Sequence, residues 1–200
     1  ARDIKGKFPN IHCVVLTPFS HGITKRMENE DLSIFDYVFC WLGNTNLILS
    51  IIKLIEDKMN LEHDIREAGV QMILLVEDSV RFYSSILPNL YSYILEQSKN
   101  FSKEALNRHA ATMRMRGRPK VVLARTYEEA QKLYDKYSNN TLGVISDARF
   151  PLKSAAKAFG NDVEQEANPE HGTDTFGREK CPDAGLRLFR YIRKTDPFVP

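Results

Sequence analysis

Three acidic side chains stand where their spacing could support chemistry: Glu77, Asp78 and Asp147. Glu77 and Asp78 end the apolar run Val70–Asp78, VQMILLVED, and Asp147 ends a second run, Thr141–Asp147, TLGVISD. A continuous apolar run of this length, bounded by polar residues, fits a strand buried on both faces, as in a parallel sheet. The carboxyl end of such a strand opens on the rim where α/β sheets place their ligands. If the two strands are parallel neighbours, the three carboxylates converge. Like charges repel there, so the natural occupant is a hard divalent cation with oxygen ligands.

The elements that must position these acids follow from periodicity. Asn10–Thr17 and Phe35–Leu42 read as strands, the first ended by Pro18 and the second by Gly43-Asn44. Residues 20–34 are polar, with a helix start offered at Asn29–Asp31. Thr45–Met59 has helical spacing, with Lys53, Glu56 and Asp57 on its polar side. Asn60–Gly69 is charged and reads as a linker. Val80–Gln97 is a helix with a kink expected at Pro88, and Ser102–Met115 is a further helical stretch or its continuation. Lys120–Ala124 is a strand, and Thr126 opens a helix to Tyr137 with Glu129 completing a capping box. Residues 152–183 read as a long mobile loop, followed by an amphipathic helix over Ala184–Lys194. Alternation of this kind implies an α/β fold: a doubly wound parallel sheet with helices on both faces.

Composition narrows the function classes. The chain has 200 residues and a formal charge of +2, too small to point to nucleic acid or an acidic surface. Its three cysteines, Cys13, Cys40 and Cys181, form no CxxC pair. Reduced thiols and a cytoplasmic setting are expected, with Cys181 as an exposed thiol in the loop. The opening residues lack the apolar core of a signal peptide, and the apolar stretch 37–55 is too interrupted to span a membrane. The five histidines have no ligand-type spacing, and no Gly-rich phosphate loop or Ser/His/Asp set is present. The segment Arg116-Gly117-Arg118-Pro119-Lys120 matches the core of a minor-groove hook. A strand starts at once, so a charged turn is the expected reading, with Arg108, His109 and Arg114 on a solvated helix face.

VEDS at 76–79 followed by a helix, and VISDARFP at 144–151, resemble the start and the phosphorylation site of a response-regulator receiver domain of two-component signalling. The likeness covers residues 70–151, with 184–200 fitting a third helix. Residues 8–59 resemble the second half of a receiver: VVLTPFS at 14–20 is similar to a fourth strand with Thr17 as switch hydroxyl, and FDYVFCWLGN at 35–44 to a fifth. A receiver carries a lysine at the end of that fifth strand; Cys40-Trp41 stands there, so this unit looks degenerate. The whole pattern is similar to tandem receivers ahead of a phosphoenolpyruvate-synthase-like domain in bacterial proteins.

The resemblance implies a flavodoxin-like sheet of order 2-1-3-4-5, assembled from two partial units: 1–60, a linker at 61–69, and 70–200. Two arrangements stay open. The halves stand apart, or residues 8–59 complete one permuted sheet and bring Thr17 beside Asp147. The resemblance also implies that Asp147 accepts a phosphoryl group from a sensor histidine kinase or phosphotransfer protein. Mg²⁺ would be held by Glu77, Asp78, Asp147 and the backbone carbonyl of Arg149. Such a module is a signalling acceptor and not a turnover enzyme, with a C-terminal output domain and a homodimer among its partners, and neither membrane nor nucleic acid. The alternative is a pseudo-receiver that is never phosphorylated and serves as a protein-interaction or dimerisation module. A metal-dependent phosphohydrolase would need a second acid two residues beyond Asp147, where Arg149 stands.

Overall fold

The computed structural model describes residues 2–18, 35–153, 172, 174 and 178–200. The expected helix start at 29–31 and most of the expected loop at 152–183 lie outside the described residues. In chain order the elements are α1 (Arg2–Lys7), β1 (Val14–Pro18), β2 (Tyr37–Trp41), α2 (Asn46–Ala68), β3 (Met72–Val76), α3 (Val80–Lys103), α4 (Arg108–Arg116), β4 (Lys120–Ala124), α5 (Tyr127–Tyr137), β5 (Thr141–Ser146), β6 (Phe150–Pro151), β7 (Lys180–Cys181) and α6 (Ala184–Thr195). The protein is mixed α/β with parallel sheets.

Strand β3 is the centre of a three-stranded parallel sheet, with β4 on one edge and β5 on the other. Alternation along β3 sends Leu75 into one core and Met72, Leu74 and Val76 into another. The first core is filled from α2 and α3 by Leu54, Tyr83, Leu87 and Tyr91. The second is filled from α5 and α6 by Ala130, Tyr134, Leu188 and Ile192. Helices thus cover both faces of β3, and the run Met72–Val76 can be apolar throughout because neither face meets water; β5, expected to be buried in the same way, is an edge strand with Leu142 and Ile145 exposed.

Strands β1 and β2 form a separate parallel pair. The free edge of β2 is closed by α3 side chains: Ser84 Oγ accepts from Cys40 N at 2.9 Å, and the Tyr83 hydroxyl donates to the Val38 carbonyl. At the outer edge of β5, Val144 N donates to Pro200 O at 3.1 Å. The five long strands therefore do not close one permuted sheet. In the order 2-1-3-4-5 it is the outer edge of β5 that would receive β1, and Val144 N on that edge is taken by Pro200 O instead.

Residues 61–68, expected as a linker, continue α2 to Ala68, and Gly69 ends the helix in the left-handed region at φ 61°. Leu61 is buried with Met72 and Leu74, which gives this turn an apolar face that charge composition conceals. Asp57, expected on the solvent side, is fully buried. It accepts from Tyr91 Oη (2.9 Å), Arg118 Nη1 (3.1 Å), Arg118 Nη2 (2.6 Å) and Val121 N (3.0 Å). Lys120 is buried as well and pairs with Asp64 at 2.8 Å. Two cations of the Arg116–Lys120 motif thus serve the interior.

Pro88 lies inside the unbroken span of α3. Thr126 Oγ1 accepts from Glu129 N at 3.2 Å, while the Glu129 carboxylate accepts from Arg125 N at 2.8 Å, one residue before the expected reciprocal partner. No helix among the described residues is long and apolar enough to cross a membrane.

The Asp57 cluster joins α2, α3 and β4, so removing its acid strands a buried guanidinium. Asp57→Ala should lower stability by about 3–5 kcal/mol in urea titrations; a loss below about 1 kcal/mol, the range of an exposed pair, would contradict this.

Candidate acidic site at the sheet rim

The hydrogen bonding of the sheet runs one residue past its strands. Glu77 N donates to Ala124 O at 3.0 Å, and Asp147 N donates to Val76 O at 2.9 Å. Those bonds fix where the chain leaves the sheet, and the three acids follow from it. One carboxylate oxygen from each of Glu77, Asp78 and Asp147 lies within 4.8 Å of the others. Glu77 and Asp78 are buried and Asp147 is half-buried.

Local bonds orient two of them. Glu77 Oε1 accepts from Ser79 N at 3.0 Å, and Asp147 Oδ1 accepts from Ala148 N at 2.6 Å. Asp78 differs: its side chain is fully buried, and neither oxygen has a hydrogen-bond donor. Its near partner is Lys180, whose Nζ lies 2.7 Å from Oδ2 as an ion pair without hydrogen-bond alignment. A buried carboxylate beside two other acids offers the charged oxygen ligands that a hard cation needs, with Lys180 as the cation already close to it.

Lys180 arrives from the far side of the insertion. Strand β7 pairs antiparallel with β6, with Pro151 opposite Lys180 and Phe150 opposite Cys181. Phe150 is fully buried and fixes β6 against the second core. Arg178 Nε donates to Asp174 Oδ2 at 2.6 Å, and Lys180 N donates to Gly172 O at 3.1 Å. Sequence reasoning placed no lysine at the site, because its pairing is decided by a strand contact across 29 positions and by no local pattern.

The start of α6 closes the floor. Gly185 N donates to Ala148 O at 3.0 Å, and a Cβ at residue 185 would overlap the Asp147 carbonyl oxygen and lie 3.0 Å from Ala148 Cα. Glycine is needed here for close approach and not for its dihedral freedom.

The remaining expected site residues are placed as follows. Thr17 lies on β1, in the separate pair, where its hydroxyl donates to Pro18 O at 3.2 Å. Arg149 lies two residues past Asp147 and leads into β6. Cys181, expected to be exposed, is half-buried and its thiol lies 3.0 Å from Asp183 Oδ1. All three cysteines are free.

Charge and burial shape the titration of the rim. Burial pushes the Glu77 carboxyl up from 4.5 to about 7; the carboxylates of Asp147 and Asp78 add to this, and the Ser79 amide and Lys180 oppose it. Burial likewise raises Asp78, with Asp174 adding and Lys180 opposing.

Comparison of the chain with protein-family models, curated proteins and solved structures gives no significant match in any of the three.

Two outcomes follow from this geometry. An acid raised in the folded state contributes stability that is present below its unfolded value, 4.5, and lost as pH climbs through about 7. Glu77→Gln should therefore gain on the order of 2–3 kcal/mol over the native protein at about pH 8 and nothing at about pH 4 in metal-free denaturation curves. A gap that does not change with pH would refute the assignment. Gly185→Ala should lose about 1–3 kcal/mol, since backbone must move to admit the methyl group; an unchanged melting temperature would show that α6 does not bear on the Asp147 turn.

Proposed function

We propose that the rim formed by Glu77, Asp78 and Asp147 is a divalent-cation site at which Asp147 accepts a phosphoryl group, making the protein a receiver-type signalling module. One observation carries this reading: three acids at the ends of two adjacent parallel strands meet within 4.8 Å. The sheet order β4-β3-β5 corresponds to the 2-1-3 part of a flavodoxin-like receiver, which supports the same assignment.

Glu77, Asp78 and Asp147 would hold Mg²⁺, with the Arg149 carbonyl as a further ligand. When bound, the ion would neutralise charge on the transferring phosphoryl oxygens. The protein's own part is positional. The Val76–Asp147 backbone bond holds the nucleophile at the rim. The Ala148 amide engages Oδ1 and directs the nucleophilic role to Oδ2. An Oδ2–P bond forms as the N–P bond of a donor phosphohistidine breaks, and the leaving imidazole takes up a proton. A sensor kinase or phosphotransfer protein is the matching partner, and a cytoplasmic setting the matching place.

The second reading is a pseudo-receiver that acts by protein interaction alone. The Lys180 ammonium already on Asp78 favours it.

Incubation with acetyl phosphate and Mg²⁺ separates the two. The receiver reading expects an added phosphoryl group by intact mass, removed by hydroxylamine and absent from Asp147→Asn. No adduct in the native protein, or an undiminished one in Asp147→Asn, overturns it.

A further inference from the structure

We infer that Lys180 is a tethered counterion of the acidic rim: it holds Asp78 while no divalent cation is present and leaves it when one binds. This rests on the cation-site reading above and adds a competitor built into the chain.

Four observations carry it. Asp78 is fully buried, and its one close counterion is the Lys180 ammonium, 2.7 Å from Oδ2. That contact, 2.7 Å without alignment, is the kind a flexible point charge makes and can exchange. The Lys180 side chain is 20 % exposed, so it has a path to water, where a long ammonium side chain is well solvated. Asp78 is also one of the three acids that converge within 4.8 Å, so a cation held by the cluster shares a carboxylate with Lys180.

The competition is electrostatic. A divalent ion ligated by Asp78 would stand within about 4–5 Å of the ammonium, and repulsion at that range in a partly buried site is strong. Binding of the ion at Asp78 therefore requires the ammonium to withdraw, which its partly exposed side chain can do into water. Its anchor is short: β7 spans Lys180–Cys181 and faces Phe150–Pro151. Lys180 N is bonded to Gly172 O at 3.1 Å. Cation binding at Asp78 is thereby coupled to the pairing of β6 with β7, which joins the rim to the insertion that follows Asp147.

Calorimetric titration of magnesium chloride at fixed ionic strength tests this on the full chain. Lys180→Met should bind about tenfold more tightly or better, and Lys180→Arg no more tightly than the native protein. In the native protein, saturating Mg²⁺ should speed amide exchange at residues 180–181. A lysine that merely braces the fold predicts the opposite, equal or weaker binding by Lys180→Met, and that result overturns the inference while leaving the cation site intact. Absence of binding in both proteins overturns the cation reading and this inference together. If Lys180→Met does not fold, the exchange measurement decides: unchanged protection at 180–181 under saturating Mg²⁺ overturns it.

Discussion

Pairing of β3 along both edges, with apolar cover on both faces, leaves its ends as the places where polar side chains can gather. A strand so enclosed spends all its backbone donors and acceptors on its neighbours and offers no water-facing side. The chemistry of the sheet is therefore sorted to its two ends. Toward the amino end of β4 lies Asp57, buried and given four hydrogen bonds, two from one guanidinium. Toward the carboxyl end of β3 lies Asp78, equally buried and given none. The first carboxylate is saturated and serves the fold by tying two helices to a strand. The second stands among other acids with the Lys180 ammonium as its one close counterion. The contrast between the two buried aspartates is what singles out the rim as the candidate site.

A second constraint acts on the separate β1–β2 pair. Ser84 and Tyr83 meet the backbone of β2 where another strand would otherwise dock. The same helix, α3, presents Leu87 and Tyr91 to the core under β3, so it works as a spacer between the β1–β2 pair and the central sheet. Thr17 lies on β1, in that separate pair. The hydroxyl expected as a switch thus belongs to a different sheet from the acids it would sense. The cationic partner of the rim comes instead from β7, through an antiparallel contact with β6, whose Phe150 is anchored in the second core.

Strong periodicity explains which elements were legible beforehand. Lys120–Ala124 forms a strand at those same bounds, Thr141–Ser146 forms one that stops a residue short of Asp147, and the helix after Thr126 begins at its cap. Each has a dense apolar pattern with a chemically distinct boundary. Residues 61–68 lacked that clarity: Leu61 and Ile65 supply the apolar face of α2 among charged neighbours, and the charge masked the turn. Asp57 misled for the same reason, since a carboxylate at a polar helical position gives no local sign that an arginine sixty-one residues away will meet it.

By itself the amino-acid order determined that this is an α/β protein and that Glu77, Asp78 and Asp147 end two strands, of which β3 is buried and β5 is a partly exposed edge. Hydrophobic runs and the acids that stop them are local facts, readable within a few residues. Tertiary structure alone decided that β1 and β2 stand apart, that Gly185 packs on the Asp147 turn, and that Lys180 reaches Asp78. Those outcomes depend on which edge is already occupied and which side chain fills a core. Such competition is settled between segments far apart in the chain, by burial and hydrogen-bond satisfaction summed over the whole fold.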